Sequence, residues 1–389
     1  MQPARIVSEF PAPSYRGAQE RALQDVRDAF AAGNDVVLVR APTGTGKSLI
    51  ARAIMGAARR PSEADPSDAV GAYYTTPQVS QLDDVAADDL LSDLKIVRGK
   101  RNYDCILNGE ENTPVDRAPC ARKRGYDCAV KHRCPYFSAR AIASAREYAA
   151  MTLAYFMHTA GSEVFGKRDV GVIDEAHGLG EWAEMYATID LGPATVPVWD
   201  DLRVPDLDGD VERTVQFAEQ VADVCDGAKD DLLARDELTP EEAGRRDRLQ
   251  EVIADLNWFV DDYRDPDSAT TWVVDQGDDG RVTVKPMDPE RYLNHTIWER
   301  ANRFALLSAT ILDKDAFCRS VGLDPAKVAL VDVPHTFPVE NRPLYDVTQG
   351  RMTYEDRDAT IPRIAETLVS LMAAHPDEKG IVHAHSYAI

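Results

Sequence analysis

Short apolar runs alternate with amphipathic stretches over much of the chain. Four runs are typical of buried strands in a parallel sheet: 36–39, 72–75, 170–173 and 304–307. Apolar residues at helical spacing follow from Leu49 onwards and recur over 78–91 and 140–150. Because strands that alternate with helices build doubly wound sheets, the pattern predicts an α/β fold with a parallel sheet.

Two segments interrupt this alternation. Residues 98–140 are rich in Gly, Pro and charged residues and show no clear period. Residues 190–295 are rich in Asp and Glu, with apolar residues at helical spacing over 215–233 and 249–260. We therefore expect 190–295 to be an inserted, mostly helical subdomain. The alternative is a solvated acidic surface without a specific function.

Composition narrows the class of protein. The chain has 389 residues, and no window approaches the roughly 18 to 20 apolar residues that span a bilayer. At about 150 residues per domain, this length predicts two or three domains. No apolar run follows Arg5 near the N-terminus, so we expect no secretory signal, no membrane association and a cytoplasmic location.

Charge is strongly polarised along the chain. The net charge of −22 argues against a general nucleic-acid binder, because phosphate contacts need local positive charge. Residues 98–140 nevertheless hold ten Lys or Arg against five Asp or Glu, whereas residues 200–279 hold eight against twenty-five. Positive charge is thus concentrated in one segment and negative charge in another.

Residues 41–48, Ala-Pro-Thr-Gly-Thr-Gly-Lys-Ser, lie between a predicted strand and a predicted helix, as a phosphate-binding loop does. The glycines let backbone N–H groups curl around an anion, and the N-terminus of the next helix adds its dipole. We expect Lys47 to reach the β- and γ-phosphates and Ser48 to hold Mg²⁺. The residues assigned to the nucleotide are Thr43, Gly44, Thr45, Gly46, Lys47 and Ser48.

Two more polar segments directly follow predicted strands. Asp174 and Glu175 come after 170–173, at the edge of the sheet where ligands bind in such folds. We expect Asp174 to hold Mg²⁺ and Glu175 to orient and polarise the attacking water. Ser308 and Thr310 follow 304–307 and place two hydroxyls near the same edge.

Four of the six cysteines, Cys105, Cys120, Cys128 and Cys134, lie within the basic segment. A disulfide framework is not expected in a chain of this size without an export signal. Four thiolates can hold a 4Fe-4S cluster or a tetrahedral Zn²⁺, and the spacing does not choose between them. Aromatic residues among the basic ones either stack on the bases of a single strand or pack a small core.

In this order the motifs resemble those of one family, the iron-sulfur superfamily 2 helicases of the XPD and DinG type. Arg16 and Gln19 are similar to its adenine-side element, and 41–48 to motif I. Three later segments are similar to motif Ia, the DEAH box and motif III: 74–77, 174–177 and 307–310. The resemblance implies a RecA-like lobe, ATP and Mg²⁺, a 4Fe-4S cluster rather than zinc, and 5′-3′ movement on single-stranded or forked DNA.

The resemblance also implies roles for further residues and a division into domains. His177, Ser308 and Thr310 would couple hydrolysis to movement. DNA contacts would come from Thr75, Thr76, Arg101, Arg122, Lys123 and Arg124. The expected division is a first lobe at 1–97, 141–189 and 296–335, a cluster domain at 98–140, an Arch-like insert at 190–295 and the start of a second lobe at 336–389.

Segments 337–343 and 380–387 are similar to the crossing into the second lobe and to its first strand and motif IV. Motifs V and VI, whose arginines reach the γ-phosphate, are not present before Ile389. An arginine finger contributes roughly 10³ to 10⁵ in rate. We therefore expect slow turnover, or a second polypeptide that supplies the rest of the lobe. The alternative function is a nucleotide-gated single-stranded DNA-binding module with little or no unwinding.

Overall fold

The strands of the chain divide between a large parallel sheet and a small antiparallel one. A computed structural model describes residues 1–63, 65, 68–162, 164–341 and 343–384. The strands in these residues are β1 (Val36–Arg40), β2 (Ala72–Thr76), β3 (Lys95–Ile96), β4 (Tyr148–Thr152), β5 (Arg168–Ile173), β6 (Ile189–Leu191), β7 (Trp272–Gln276), β8 (Val282–Pro286), β9 (Ala301–Ser308) and β10 (Val328–Asp332).

Helices connect most of these strands. Those in the described residues are α1 (Gln19–Ala31), α2 (Lys47–Gly56), α3 (Val79–Ala87), α4 (Pro119–Arg122), α5 (Pro135–Ala145), α6 (Leu153–His158), α7 (Leu179–Ala187), α8 (Val211–Leu233), α9 (Pro240–Arg264), α10 (Glu290–Thr296), α11 (Lys314–Ser320) and α12 (Arg357–Ala374). Within the same residues, no helix is both long enough and apolar enough to span a membrane.

The large sheet is parallel throughout. Among the described residues it has seven strands in the order β10-β1-β9-β5-β2-β4-β3. The predicted α/β fold with a RecA-like parallel sheet is confirmed. Strands β1, β9, β5 and β2 are neighbours in this order, so the segments that follow them meet at one carboxyl edge.

Both faces of the sheet are buried, which explains the unbroken apolar runs. In β1, Val37 and Val39 point into a core cluster that includes residues of α1 and α2. Val36 and Leu38 point into a second cluster, which includes residues of α6 and α7. Since successive side chains of a strand alternate between faces, a strand covered on both sides is apolar at most of its positions.

The four predicted strands are present as β1, β2, β5 and β9. The predicted helix over 140–150 is wrong in its second half, because α5 ends at Ala145 and Tyr148–Thr152 is strand β4. This strand pairs with β2 and β3 and is almost entirely buried. Alanine favours helices, but non-local pairing inside the sheet outweighs that local preference.

The acidic insert has its own core. Helices α8 and α9 cover the predicted helical stretches and bury residues such as Phe217, Leu249 and Phe259. Thr239 and Glu242 form a capping box at the start of α9, with Pro240 in its first turn. An antiparallel sheet in the order β6-β8-β7, which the sequence pattern does not predict, contributes to the same core.

The chain separates into two compact units, residues 1–335 and 336–389. In the described part of the second unit, α12 is the α-helix, and residues 380–384 contain no strand. The strand expected after Gly380 is therefore absent there. The rest of the expected motif IV, 385–387, and Arg342 in the expected crossing lie outside the described residues.

Candidate nucleotide-binding site and cysteine cavity

The loop between β1 and α2 has the backbone of an anion cradle. Gly44 and Gly46 adopt left-handed conformations, with φ angles of +83° and +76°. A Cβ atom at position 46 would lie 2.5 Å from Nε2 of Gln19, so only glycine fits there. Because α2 begins at Lys47, its first amides and its positive dipole end face the loop.

Residues upstream of β1 hold this loop in place. The side-chain amide of Gln19 donates to the carbonyl oxygen of Thr45 at 2.8 Å, and Oε1 of Gln19 accepts from the backbone N–H of Arg16 at 2.8 Å. The hydroxyl of Thr45 donates to the carbonyl oxygen of Pro42 at 2.7 Å. Gln19 is buried, whereas the side chains of Arg16 and Thr43 are exposed. Gln19 therefore supports the loop, and Arg16 lies at the surface beside it.

The acidic segment begins directly after β5. The Asp174 carboxylate is buried, with Oδ2 accepting from the Tyr74 hydroxyl at 2.8 Å and Oδ1 accepting from the Glu175 backbone N–H at 2.9 Å. Burial raises the pKa of Asp174, and the two hydrogen bonds act against this rise. Glu175 has a φ of +51°, a conformation that is uncommon for residues other than glycine.

Side chains from distant parts of the chain meet around Glu175. Its Oε1 lies 3.2 Å from Nζ of Lys47, and its Oε2 lies 3.4 Å from Nδ1 of His177. The same His177 nitrogen is 3.0 Å from Oγ of Ser308. Ser308 also accepts from the backbone N–H of Thr310 at 3.2 Å, while the Thr310 side chain is exposed. The structure thus brings the loop, the acidic segment and the segment after β9 together.

These groups fit a nucleotide with its magnesium ion. The loop offers backbone amides at two left-handed glycines and at the N-terminus of α2, and Lys47 offers a cation beside them. Carboxylate and hydroxyl oxygens, which Mg²⁺ prefers as ligands, come from Asp174 and Ser48. Ser48 and Asp174 both interact with the Tyr74 hydroxyl, which places them close together.

Two of the expected DNA contacts are not at the surface. Thr75 and Thr76 are 1% and 0% exposed. The Thr75 hydroxyl is 3.4 Å from the carbonyl oxygen of Val172, and the Thr76 hydroxyl donates to Oε1 of Gln81. Strand β2 lies inside the sheet between β5 and β4, so its threonines face the protein rather than a strand of DNA.

The four clustered cysteines surround one cavity. Cys105, Cys120, Cys128 and Cys134 line a small cavity of about 10 Å³ together with apolar residues and Lys131. Cys105 and Cys134 are buried and Cys120 is exposed. The pKa of the Cys120 thiol is raised, first by its partial burial and then by the three other thiols. Among the described residues, no three His, Cys, Asp or Glu side chains are arranged around a single metal ion.

The basic residues beside this cavity contact the acidic insert. Lys123 pairs with Glu237 of the insert at 3.1 Å, and the two residues also form an antiparallel backbone bridge. Arg122 lies 3.9 Å from the same carboxylate and pairs with Glu110 of its own segment at 2.7 Å. Two of the expected DNA cations, Arg122 and Lys123, are therefore paired with acids within the chain. Arg101 and Arg124 are exposed.

No protein-family model and no curated protein matches the chain. Solved structures do match. An XPD helicase structure is 16% identical, with 92% of this chain and 70% of that chain covered and a TM-score of 0.48. Xpd4 of S. tokodaii is 14% identical, with 92% and 69% covered and a TM-score of 0.49, and a truncated XPD is 14% identical, with 82% and 99% covered and a TM-score of 0.43.

The chain is similar in fold to XPD helicases. At these identities and TM-scores, the similarity concerns the fold and does not assign roles to single residues. Tyr74 begins the segment that is similar to motif Ia, 74–77, but no role in the site is expected of this residue from the sequence. The feature that could have indicated a role for Tyr74 is its position on β2, the neighbour of β5. Neighbouring residues of a strand point to opposite faces, so Tyr74 and Thr75 do not share a face.

Proposed function

We propose that the chain is an ATP-hydrolysing motor of the helicase type that acts on single-stranded or forked DNA. The observation that carries this proposal is the pairing of Lys47 with Glu175 at 3.2 Å, at the mouth of the loop and beside the buried Asp174. Lys47 and Glu175 are 128 positions apart in the chain, and each follows its own strand at the same edge of the sheet.

The phosphates are held by the chain's own cations and amides. The N–H groups of the loop and of the first turn of α2 donate to the phosphate oxygens, and Lys47 neutralises the β- and γ-phosphates. Bound Mg²⁺ would be held by Ser48 and Asp174 and would neutralise charge on the same oxygens. When Lys47 moves from Glu175 to a phosphate, the carboxylate of Glu175 is free to accept a hydrogen bond from the attacking water.

Coupling to movement runs through His177. This side chain contacts both Glu175 and Ser308, so it links the water-activating carboxylate to the segment that follows β9. Thr310 is exposed two residues further on, and its backbone N–H is tied to the Ser308 hydroxyl. A shift of this segment would therefore change the position of His177 against Glu175.

We also propose that the four thiols of the cysteine cavity hold a 4Fe-4S cluster. The support is the shared cavity and the all-thiolate donor set, which Zn²⁺ also accepts. Iron content and absorbance near 400 nm of anaerobically purified protein distinguish the two. About four irons per chain supports the cluster, and stoichiometric zinc without iron contradicts it.

DNA binding and the 5′-3′ direction are further parts of the proposal. The exposed Arg101 and Arg124 provide positive charge near the cysteine cavity that the insert does not neutralise through side-chain ion pairs in the described residues. The direction rests on the resemblance of the motifs alone. Strand separation of substrates with a 5′ or a 3′ overhang tests it, and a preference for the 3′ overhang contradicts it.

The experiment that tests the motor is ATP hydrolysis by the anaerobically purified chain, with and without single-stranded DNA. We expect DNA-stimulated turnover that Glu175→Gln lowers by about 10²- to 10⁴-fold, the range for a general base, while ATP binding is kept. Glu181→Gln, an exposed change on α7, is the control and keeps full turnover.

Equal turnover in the Glu175→Gln variant and in the unchanged chain would contradict the proposal. ATP and DNA binding without turnover by the unchanged chain would favour the alternative, a nucleotide-gated single-stranded DNA-binding module.

A further inference from the structure

Tyr74 lies at the centre of the proposed nucleotide site, although it belongs to neither the phosphate loop nor the acidic segment. It is on β2, which pairs with β5, and it is 2% exposed. Its hydroxyl donates to Oδ2 of Asp174 at 2.8 Å, and the Ser48 side chain in the first turn of α2 lies near the same phenol. The hydroxyl thus lies beside both side chains that are assigned to Mg²⁺.

We propose that Tyr74 is a positioning residue for the magnesium ligands, an inference that rests on the proposed nucleotide function. Asp174 accepts one hydrogen bond on each oxygen, from Tyr74 on Oδ2 and from the Glu175 N–H on Oδ1. Two donors on two oxygens fix the plane of the carboxylate. The phenol ring is packed in the core beside the sheet, so the hydroxyl that orients the Asp174 carboxylate is itself held in place.

Tyr74 orients Asp174 without using up its capacity as a ligand. An ionised carboxylate offers about four acceptor positions, and the two protein donors occupy one on each oxygen. These two hydrogen bonds leave further acceptor capacity on both oxygens for a cation or for a water bound to it. Residues that orient a ligand in this way typically contribute about 10- to 100-fold to metal affinity or activity.

The neighbouring residue is a matched control. Tyr73 is on the same strand and is 1% exposed, but its side chain points to the opposite face of the sheet. Its hydroxyl donates to the carbonyl oxygen of Gly166 at 2.6 Å. The change Tyr73→Phe removes a buried phenol hydroxyl of the same kind and leaves the nucleotide site untouched.

The test is the affinity for a fluorescent ATP analogue, measured in Mg²⁺ and in EDTA, for the unchanged chain, Tyr74→Phe and Tyr73→Phe. We expect Tyr74→Phe to weaken binding by about 10-fold or more in Mg²⁺ and to leave binding in EDTA unchanged. Retained binding in EDTA shows that the loop is still folded. The Tyr73→Phe variant should match the unchanged chain under both conditions.

Three results would overturn the inference. Equal affinities of Tyr74→Phe and the unchanged chain in Mg²⁺ would show that the phenol orients nothing. Equal weakening in Mg²⁺ and in EDTA would assign Tyr74 to packing, and tighter binding in Mg²⁺ would show that the phenol competes with the ion. Each of these results requires that the unchanged chain binds the analogue, so each contradicts the inference alone. If the unchanged chain binds no analogue at all, the proposed function fails as well, and the two failures are thereby distinguished.

Discussion

Two regions of the molecule are built in different ways: the sheet edge proposed to bind nucleotide, formed by 41–48, 174–177 and 307–310, and the cysteine cavity. At the edge, side chains follow neighbouring strands of a sheet that is buried on both faces, so the backbone places them before any ligand arrives. The cysteine cavity is surrounded by short helical turns and bridges of a single residue pair. The strands of the sheet position the first site. The second depends on side-chain ion pairs and on the metal group that the thiols are proposed to bind.

The interactions around the two sites also differ in strength. The Asp174 and Tyr74 pair is buried, and loss of one partner leaves the other without a hydrogen bond at a cost of about 1–3 kcal/mol. The pair of Lys123 with Glu237 is partly exposed and is worth about 0.2–1 kcal/mol. Substitutions should therefore have large effects at the edge and small, salt-dependent ones beside the cavity.

The largest effect is expected from Lys47→Ala. Loss of the ammonium group that lies 3.2 Å from Glu175 should weaken binding of Mg²⁺ and an ATP analogue and lower turnover by about 10²-fold or more. The matched control is Lys327→Ala, whose side chain is 84% exposed. Equilibrium binding measures the affinity for the analogue, and steady-state hydrolysis measures turnover. Unchanged hydrolysis in Lys47→Ala would show that this edge of the sheet does not take part in the reaction.

Cys134→Ser should separate the two regions. Its thiol is buried in the cavity, so we expect loss of bound iron and faster proteolysis within 98–140, with nucleotide binding kept. Cys225→Ser, a buried change within the insert, is the control and should keep its iron. Metal analysis and limited proteolysis give the result. A variant that keeps the full iron content would show that Cys134 is not a ligand.

Gly46→Ala should have an intermediate effect. A side chain at a φ of +76° costs roughly 1–2 kcal/mol and would meet the amide of Gln19, so both the thermal midpoint and the nucleotide affinity should fall. The control Gly227→Ala lies on the exposed face of α8 with open space around it, and should stabilise by about 0.5–1 kcal/mol. If both changes gave the same result, the loop would not need its left-handed turn.

The smallest effect is expected from Lys123→Ala. Loss of its pair with Glu237 should speed proteolysis of the turn between α8 and α9 at low salt, by an amount that corresponds to about 0.2–1 kcal/mol. High salt should abolish the difference, because it screens partly exposed charges. Arg281→Ala, on the hairpin between β7 and β8, is the control. A difference that persists at high salt would point to packing instead of charge.

The sequence predicts that the loop, the acidic segment and the segment after β9 meet at one edge of the sheet, because each of these parts is local. An apolar run marks each strand, and the polar residues of interest come within a few positions of its end. The same reasoning fails where residues distant in sequence determine the local structure or the burial of a side chain. The β4 strand needs β2 and β3 beside it, and the burial of Thr75 and Thr76 follows from the place of β2 in the sheet.

The contacts of the basic segment are non-local as well. Glu237 is more than a hundred residues from Lys123 in the chain, and nothing in the local pattern of either residue shows that they pair. Charge counts predict that one segment is basic and another acidic. They do not show that Glu237 of the acidic segment pairs with Lys123 of the basic one, and neither does the resemblance from which the DNA contacts of Arg122 and Lys123 are expected.

Hydrogen–deuterium exchange with Mg²⁺ and a non-hydrolysable ATP analogue tests the central claim most directly. If the sheet edge is the nucleotide site, backbone amides at 44–48 and 174–177 exchange more slowly when the analogue is present, while those at 120–134 do not change. Protection confined to other segments, or none at concentrations that saturate binding, would contradict the assignment of the edge as the nucleotide site.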